Sequence, residues 1–326
     1  MSRTERELMT SAAHLYYLDN LGQQEIATIL DVSRPKVSRL LTAARELGIV
    51  RISVDPWEAR DAGLETDLVE RFGLRRAVVV KAPSHSVDSV RRAISHFAGP
   101  AVAEVIAPGS TVGVSGGRTL GEVVASMKFG DVASGVNVVQ LMGHVDPTAR
   151  KVDGPEIGRT LAREAGGSFT SLNAPIFVRD RETRDGFLAD PQIQRVWRQF
   201  PLLDVSLVGV GALEESVFAE RGVLTAPDFA ALRDAGVVGE ICGRFYDRDG
   251  QECETVYRDR VVSIGLDDLR RSDVIAVTNG VSRREAIHAA LRGRLISSLV
   301  IDDTGARALL KGAGHAPVPA GRSTVA

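Results

Sequence analysis

Apolar residues over the first sixty positions recur at helical spacing. Leu8, Ala12, Leu15 and Leu18 stand three or four apart and predict the buried face of a first helix. After Asn20-Leu21-Gly22 a second, short helix is expected through Gln24, Ile26, Ala27, Ile29 and Leu30, and Asp31-Val32-Ser33 interrupts it. A third helix follows, with Ser33 placed as N-cap and Pro35 in the first turn, where its missing N–H breaks no intrahelical bond. Val37, Leu40, Leu41, Ala44 and Leu47 form its inward stripe, which leaves Arg34, Lys36, Ser38 and Arg39 on the outer face. Ala27 is small where the two helices would cross, and Ile26, Leu30, Val32, Val37 and Leu40 would fill a shared core. Two helices joined by so short a turn read as a helix-turn-helix, with Asp31 where such a turn usually has glycine. Gly48 ends the third helix, and 49–54 reads as a short strand suited to a wing, so that 1–55 forms a winged-type helical domain.

The pattern then changes. An amphipathic stretch within 56–75 predicts a linker or oligomerisation helix. From Arg76 onward apolar strand-like runs alternate with helical patterns. Strands are expected at 77–81, 111–115, 136–142, 202–210, 237–245, 274–278 and 299–301, and helices at 87–106, 119–127, 155–164 and 283–291. Such alternation predicts a parallel sheet with helices on both faces. The fold class is α + α/β, a helical domain followed by a Rossmann-like α/β domain over 76–316, with a flexible tail at 317–326. Asp247-Arg248-Asp249-Gly250 reads as a hairpin turn; an EF-hand loop would need further acidic ligands and a closing Glu.

Composition agrees with two domains. The chain has 326 residues, 44% hydrophobic and 25% charged, enough apolar material for a sizeable core. No apolar run approaches the roughly 18 residues needed to span a bilayer, and the first ten residues lack a signal-peptide core, so a cytoplasmic protein without a membrane partner is expected. Cys242 and Cys253 have neither a Cys-x-x-Cys spacing nor a histidine companion, which predicts buried thiols, with no disulfide and no metal site. Taken alone, the formal net charge of −2 disfavours nucleic acid. It is an average. Between Ser33 and Arg51 the basic residues Arg34, Lys36, Arg39, Arg45 and Arg51 face the single acid Glu46, a local excess of four positive charges. Long cationic and hydroxyl side chains near a helix N-terminus can reach guanine edges and phosphates in a major groove, so Ser33, Arg34, Lys36, Ser38 and Arg39 are the candidate DNA contacts. An ordinary amphipathic hairpin with a solvated basic face is the competing reading.

In open α/β sheets, ligands sit beyond the carboxyl ends of the strands. Ser115-Gly116-Gly117-Arg118-Thr119 lies between a predicted strand and a predicted helix. Two glycines let the backbone fold around an anion, the helix N-terminus aims N–H groups at it, and Arg118 adds charge while Ser115 and Thr119 add hydroxyls. A tight turn that merely caps its helix would look similar. A second candidate is Asn279-Gly280 with Arg283 and Arg284, where Ser282 and Glu285 have capping-box spacing. A third, Gly209-Val210-Gly211, lacks the third glycine of a dinucleotide fingerprint, and no cofactor is expected. Gly113-Val114-Ser115-Gly116-Gly117 also fits Gly-x-Ser-x-Gly, the nucleophile elbow of hydrolases, with Asp302 or Asp303 and His315 following in the right order. That pentapeptide is short, and His315 falls in a Gly- and Pro-containing tail.

Taken together, these motifs resemble the SorC/DeoR-type bacterial transcriptional regulators. Gln24-Glu25-Ile26-Ala27, Ser33 through Leu41 and Gly48-Ile49-Val50 are similar to that family's DNA-binding signature. Val112 through Leu120 resembles its phosphate loop, Gly239-Glu240-Ile241-Cys242-Gly243-Arg244-Phe245-Tyr246-Asp247 its mid-domain motif, and Gly280 through Ile287 its late ligand loop. The resemblance implies a sugar-phosphate-isomerase-like second domain and a phosphorylated sugar or polyol effector held by Ser115, Gly116, Gly117, Arg118, Thr119, Glu240, Asn279, Gly280 and Arg283. It also implies homodimers or homotetramers on double-stranded operator DNA, control of a carbohydrate-utilisation operon, and no catalytic residues. Gly116 stands where the family often has an aromatic, and Arg283 where it usually has a lysine. A sugar-phosphate isomerase or deaminase with an accessory helical domain is the alternative; it would need a general base, and no His or paired carboxylate immediately flanks the phosphate loop.

Overall fold

The computed structural model describes residues 3–52, 58–82, 86–130, 135–146, 150 and 152–312. The chain forms two compact units, Met1–Trp57 and Glu58–Ala326.

The first unit contains α1 (Arg3–Tyr17), α2 (Gln23–Ile29) and α3 (Arg34–Glu46). Their shared core is Met9, Ala12, Ala13, Ile26, Ala27, Val37, Leu40, Leu41 and Ala44. The inward face of α1 is therefore rotated from the expected one: Met9 and Ala13 are buried, while Leu18 is 69% exposed. Leu47, also placed inside by spacing, is 56% exposed. Leu18 and Leu47 fall just past the ends of their helices, where the period no longer points side chains inward. Asp31 takes a positive φ of 51°, so this turn does use the left-handed conformation, supplied by one of the few non-glycine residues that tolerate it. The expected wing strand at 49–54 is not formed over its described part, 49–52, and the rest lies outside the described residues.

The second unit runs α4 (Ala62–Phe72), β1 (Arg76–Val80), α5 (Val87–Ala103), β2 (Thr111–Val114), α6 (Arg118–Ser126), β3 (Asn137–Gln140), α7 (Gly154–Glu164) and β4 (Ser168–Thr170). It continues with α8 (Arg181–Ala189), α9 (Pro191–Trp197), β5 (Val205–Val208), α10 (Val217–Glu220) and α11 (Ala226–Asp234). The last elements are β6 (Gly239–Ile241), β7 (Arg244–Tyr246), α12 (Leu266–Leu269), β8 (Asp273–Val277), α13 (Arg284–Arg292), β9 (Ser298–Asp302) and α14 (Asp303–Gly312). Seven strands form one parallel sheet in the order β1-β9-β8-β5-β2-β3-β4. Its strands are near-continuous valine-rich runs because both faces are covered. Successive residues of β8 enter opposite layers: Val274 and Ala276 pack on one side, Ile275 and Val277 on the other. The outer edge of β1 is covered by the preceding chain, where Asp61 N–H donates to Val79 O and Lys81 N–H to Ala59 O.

Two expectations need correction. Within the stretch expected as a linker or oligomerisation helix, α4 instead buries Leu64 and Leu68 in the same core as β1 and α14. An amphipathic helix carries the same pattern whether its apolar face meets a sheet or a second copy. The single strand expected at 237–245 is instead the antiparallel hairpin β6–β7, outside the parallel sheet, turned by Cys242 and Gly243 at φ 55° and 76°. The turn at Asp247–Gly250 does form, with Asp247 N–H donating to Gln251 O. His315 and the tail at 317–326 lie outside the described residues.

Candidate functional site

On the first unit, Arg34, Lys36, Ser38 and Arg39 are all exposed on α3 and no ion pair ties them down among the described residues. Ser33 occupies the N-cap position with extended backbone, but its hydroxyl caps no N–H. Pro35 has no N–H and Lys36 N–H donates to Ser33 O at 2.9 Å, so the first turn of α3 offers mainly its four long or hydroxylic side chains, a surface suited to phosphate oxygens and base edges.

On the second unit, strands β2, β3 and β4 run outward on one side while β5, β8 and β9 lie on the other. The order thus reverses between β2 and β5, and a crevice opens beyond their carboxyl ends. A cavity of about 270 Å³ occupies this place. Ser115, Gly116, Gly117, Arg118, Thr119, Glu240, Asn279 and Arg283 all line it. Gly280 does not: it is a turn residue with φ 78° whose N–H donates to Asp302 Oδ1 at 2.5 Å.

The loop after β2 is tightly organised. Gly117 has φ 149° and ψ 141°, a conformation glycine permits, and its N–H donates to Val152 O at 2.9 Å. Helix α6 then opens without a side-chain cap, which leaves first-turn N–H groups for a ligand. Ser115 is committed elsewhere: its Oγ accepts from Gly209 N–H at 3.2 Å and donates to Gly116 O, stitching the end of β2 to the end of β5. The hydroxyl expected to meet an anion is thus a structural tie, and among the described residues Ser115 Oγ is hydrogen-bonded to no side-chain base that could activate it as a nucleophile. Thr119 Oγ1 donates to Asn279 Oδ1 at 3.1 Å, and Arg283 Nη1 donates to Asn279 O at 3.0 Å, so the first and second candidate loops share one wall. Ser282 and Glu285 form no capping box, because α13 begins only at Arg284 and Glu285 pairs with Arg248.

Charge around the cavity is balanced in pairs. Arg283 Nη2 meets Glu215 Oε2 at 2.6 Å, and burial holds its guanidinium below its ordinary value against that pairing. Arg118 and Arg150 both reach Glu220, at 3.5 and 4.0 Å. Arg221, 3% exposed, is clamped by Asp146 at 3.0 Å and Asp153 at 2.5 Å. Burial opposes its charge, and the two carboxylates more than offset that. Glu240 is held by the β6 backbone, which exchanges two hydrogen bonds with Gly211, and its Oε2 accepts from Gly243 N–H at 2.8 Å. Desolvation pushes its carboxyl up to about 7, against the opposing pull of Gly243 N–H and Arg283, so near neutrality it can either donate or accept. Among the described residues no His, Cys, Asp or Glu cluster could hold a metal ion.

His144, Asp146, Arg150, Asp153, Glu215, Glu220 and Arg221 also line the cavity, and reading the sequence does not single them out. For His144 and Asp146 a weaker signal exists: they lie in the loop beyond the carboxyl end of β3, as Ser115 lies beyond β2. Glu215 lies in a three-residue 3-10 turn and Glu220 and Arg221 at the end of the four-residue helix α10, elements too short to carry a periodic or motif signal.

A profile of the family described as "Putative sugar-binding domain" matches residues 59–311. The chain is 33% identical over 313 residues to the deoxyribonucleoside regulator of Bacillus subtilis (strain 168), covering 95% of this chain and 99% of that protein. It is 28% identical over 319 residues to the transcriptional regulator LsrR of an Enterobacter species (strain 638), covering 96% of each. Among solved structures, the full-length sorbitol operon regulator SorC from Klebsiella pneumoniae superposes with a TM-score of 0.75 at 26% identity, covering 95% of this chain and 99% of that one.

Proposed function

Since the chain belongs to this sugar-binding-domain family, whose relatives are named as transcriptional regulators, we propose that it is a DNA-binding regulator of a carbohydrate-utilisation operon. In this reading the first unit is a helix-turn-helix, and Ser33, Arg34, Lys36, Ser38 and Arg39 meet operator DNA. A phosphorylated sugar or polyol occupies the cavity of the second unit. Its anionic group lies at the N-terminus of α6 between Arg118 and Arg283, with Gly116, Gly117 and Thr119 shaping the wall. Its hydroxyls meet Asn279 and Glu240. The protein acts in the cytoplasm as a homodimer or homotetramer; among the described residues, no helix is long and apolar enough to cross a membrane.

The observation that carries the reading is the convergence of the β2 loop, Asn279, Arg283 and Glu240 on one cavity at the reversal point of the sheet. For effector binding to control DNA binding, the ligand must prefer one oligomeric arrangement over another. An Arg34→Ala, Arg39→Ala double variant is expected to lose operator binding while keeping effector binding, measured by fluorescence anisotropy and calorimetry. Unchanged operator affinity would remove α3 from the interface. A thermal-shift screen of phosphorylated against free sugars and polyols tests the cavity: stabilisation by phosphorylated compounds is expected, and stabilisation by none of them defeats the anion site.

Glu240 also favours a second reading. A carboxyl titrating near 7 beside a sugar-phosphate site is what an isomerase or deaminase uses to move protons. In a regulator the same group serves as a hydrogen-bond partner, and the pure protein turns over no pentose or hexose phosphate. Turnover that Glu240→Gln abolishes would establish the enzyme instead.

A further inference from the structure

The arginines assigned above to an anion are already occupied. Glu215 lies 2.6 Å from Arg283, and Glu220 lies 3.5 Å from Arg118 and 4.0 Å from Arg150. Both acids belong to the short stretch between β5 and α11. Arg221, next to Glu220, anchors that stretch through Asp146 and Asp153, and Phe218 on α10 is fully buried. The guanidinium charges of Arg118 and Arg283 oppose each other across the cavity, so each gains from a counter-ion.

Resting on the anion-site reading, we propose that Glu215 and Glu220 are built-in counter-ions that set the ligand class: a dianionic phosphomonoester displaces them, and a neutral sugar does not. Both carboxylates are nearly half exposed, at 44% and 47%, so turning outward costs them little desolvation. A phosphoryl group takes over Arg118 and Arg283 with two negative charges and additional first-turn N–H groups, which a carboxylate side chain fixed on its own backbone cannot reach. A neutral polyol has nothing to offer the two arginines in exchange for the lost carboxylates. Selectivity for phosphorylated over free sugar thus comes from competition within the protein as well as from attraction.

The test is calorimetric titration of the full chain with inorganic phosphate and, separately, with sorbitol as a neutral probe. Glu215→Gln and Glu220→Gln each keep the shape of the side chain and remove its charge, and each is expected to tighten phosphate binding about two- to fivefold. The double variant should multiply the gains and leave sorbitol within about twofold of the unmodified protein. Glu214→Gln is the control: Glu214 is exposed on the same turn and pairs with no arginine among the described residues, so it lowers the overall negative field without freeing Arg118 or Arg283. An equal gain in Glu214→Gln, or no gain in the Glu215 and Glu220 variants, overturns the counter-ion role. Arg283→Ala distinguishes this from failure of the underlying site. If it binds phosphate as well as the unmodified protein, the anion site is misplaced and the counter-ions fall with it; if it loses phosphate while the Glu variants gain nothing, only the competition is refuted.

Discussion

Replacing Glu240 by glutamine should make the protein more stable, and by an amount that grows with pH. In the fold this carboxyl titrates at about 7, against 4.5 for the free side chain, because its surroundings desolvate the charged form. Below pH 4.5 both folded and unfolded chains carry it neutral, and it costs nothing. Between 4.5 and 7 the unfolded chain gives up its proton first, so stability falls as pH rises through that window. Above 7 both states are ionised and the full cost remains, at most roughly 3 kcal/mol. Glutamine keeps an oxygen to accept from Gly243 N–H and carries no charge, so it escapes that cost. Urea unfolding at pH 5, 6, 7 and 8 measures the difference, followed by Trp197 fluorescence in a Trp57→Phe background so that the signal comes from the larger unit. The two proteins should differ by roughly 1 kcal/mol at pH 5 and by roughly 3 kcal/mol at pH 8, with glutamine ahead. A gap that does not change with pH, or glutamine behind at pH 8, would show that Glu240 is ionised without penalty and that its surroundings are better solvated than the geometry implies.

Three further outcomes follow from packing and charge. Leu68→Ala, at a fully buried position on α4, should cost about 2–5 kcal/mol in urea unfolding of the larger unit, whereas a linker helix would tolerate it. Arg221→Ala leaves Asp146 and Asp153 facing each other without their cation and should cost about 3–5 kcal/mol at pH 7; lowering the pH to protonate them should recover part of that loss in a thermal-unfolding series. Gly250→Ala sets a Cβ 2.5 Å from Ala289 O and 2.6 Å from Gly293 Cα at a φ of 71°, and should lower stability by about 2–3 kcal/mol. A loss under 0.5 kcal/mol would mean that this turn and α13 separate easily.

The parallel sheet is legible in the sequence because both of its faces are covered, so strands such as Ala77-Val78-Val79-Val80 stand out as unbroken apolar runs. The same composition hides direction and partner: nothing in Val237 through Phe245 marks a reversal at Cys242, whose left-handed φ has no glycine to announce it until Gly243. Strand β4, three residues at the sheet edge with Ser168 exposed, is too short for a period to register. Helices α8 and α9 escape for another reason. The first buries no residue and the second only Ile193 and Val196, so neither has a full apolar stripe. The site divides in the same way. Residues on glycine-rich loops between strand and helix, Ser115 to Thr119 and Asn279, are found by position alone. Glu215, Glu220 and Arg221 are charged residues on helical turns too short to show a period, and only the fold brings them to the cavity. Ser115 shows the limit of residue type as a guide: a hydroxyl in the right loop is spent on Gly209 N–H.

The position of β1 bears on how the protein is made. Its one neighbour in the sheet is β9, and Arg76 pairs with Ser298. A ribosome adding about 5–20 residues per second completes that partner roughly 10 to 45 s after β1 has emerged. Over that interval a flat, valine-rich strand has an unsatisfied edge, shielded by α4 and the turn before it but not yet paired. The helical unit draws its buried core from Met9 through Ala44 alone, all of it synthesised before β1. A nascent chain thus carries the helical unit ahead of an open sheet, and premature termination anywhere before Asp302 leaves β1 without its partner strand.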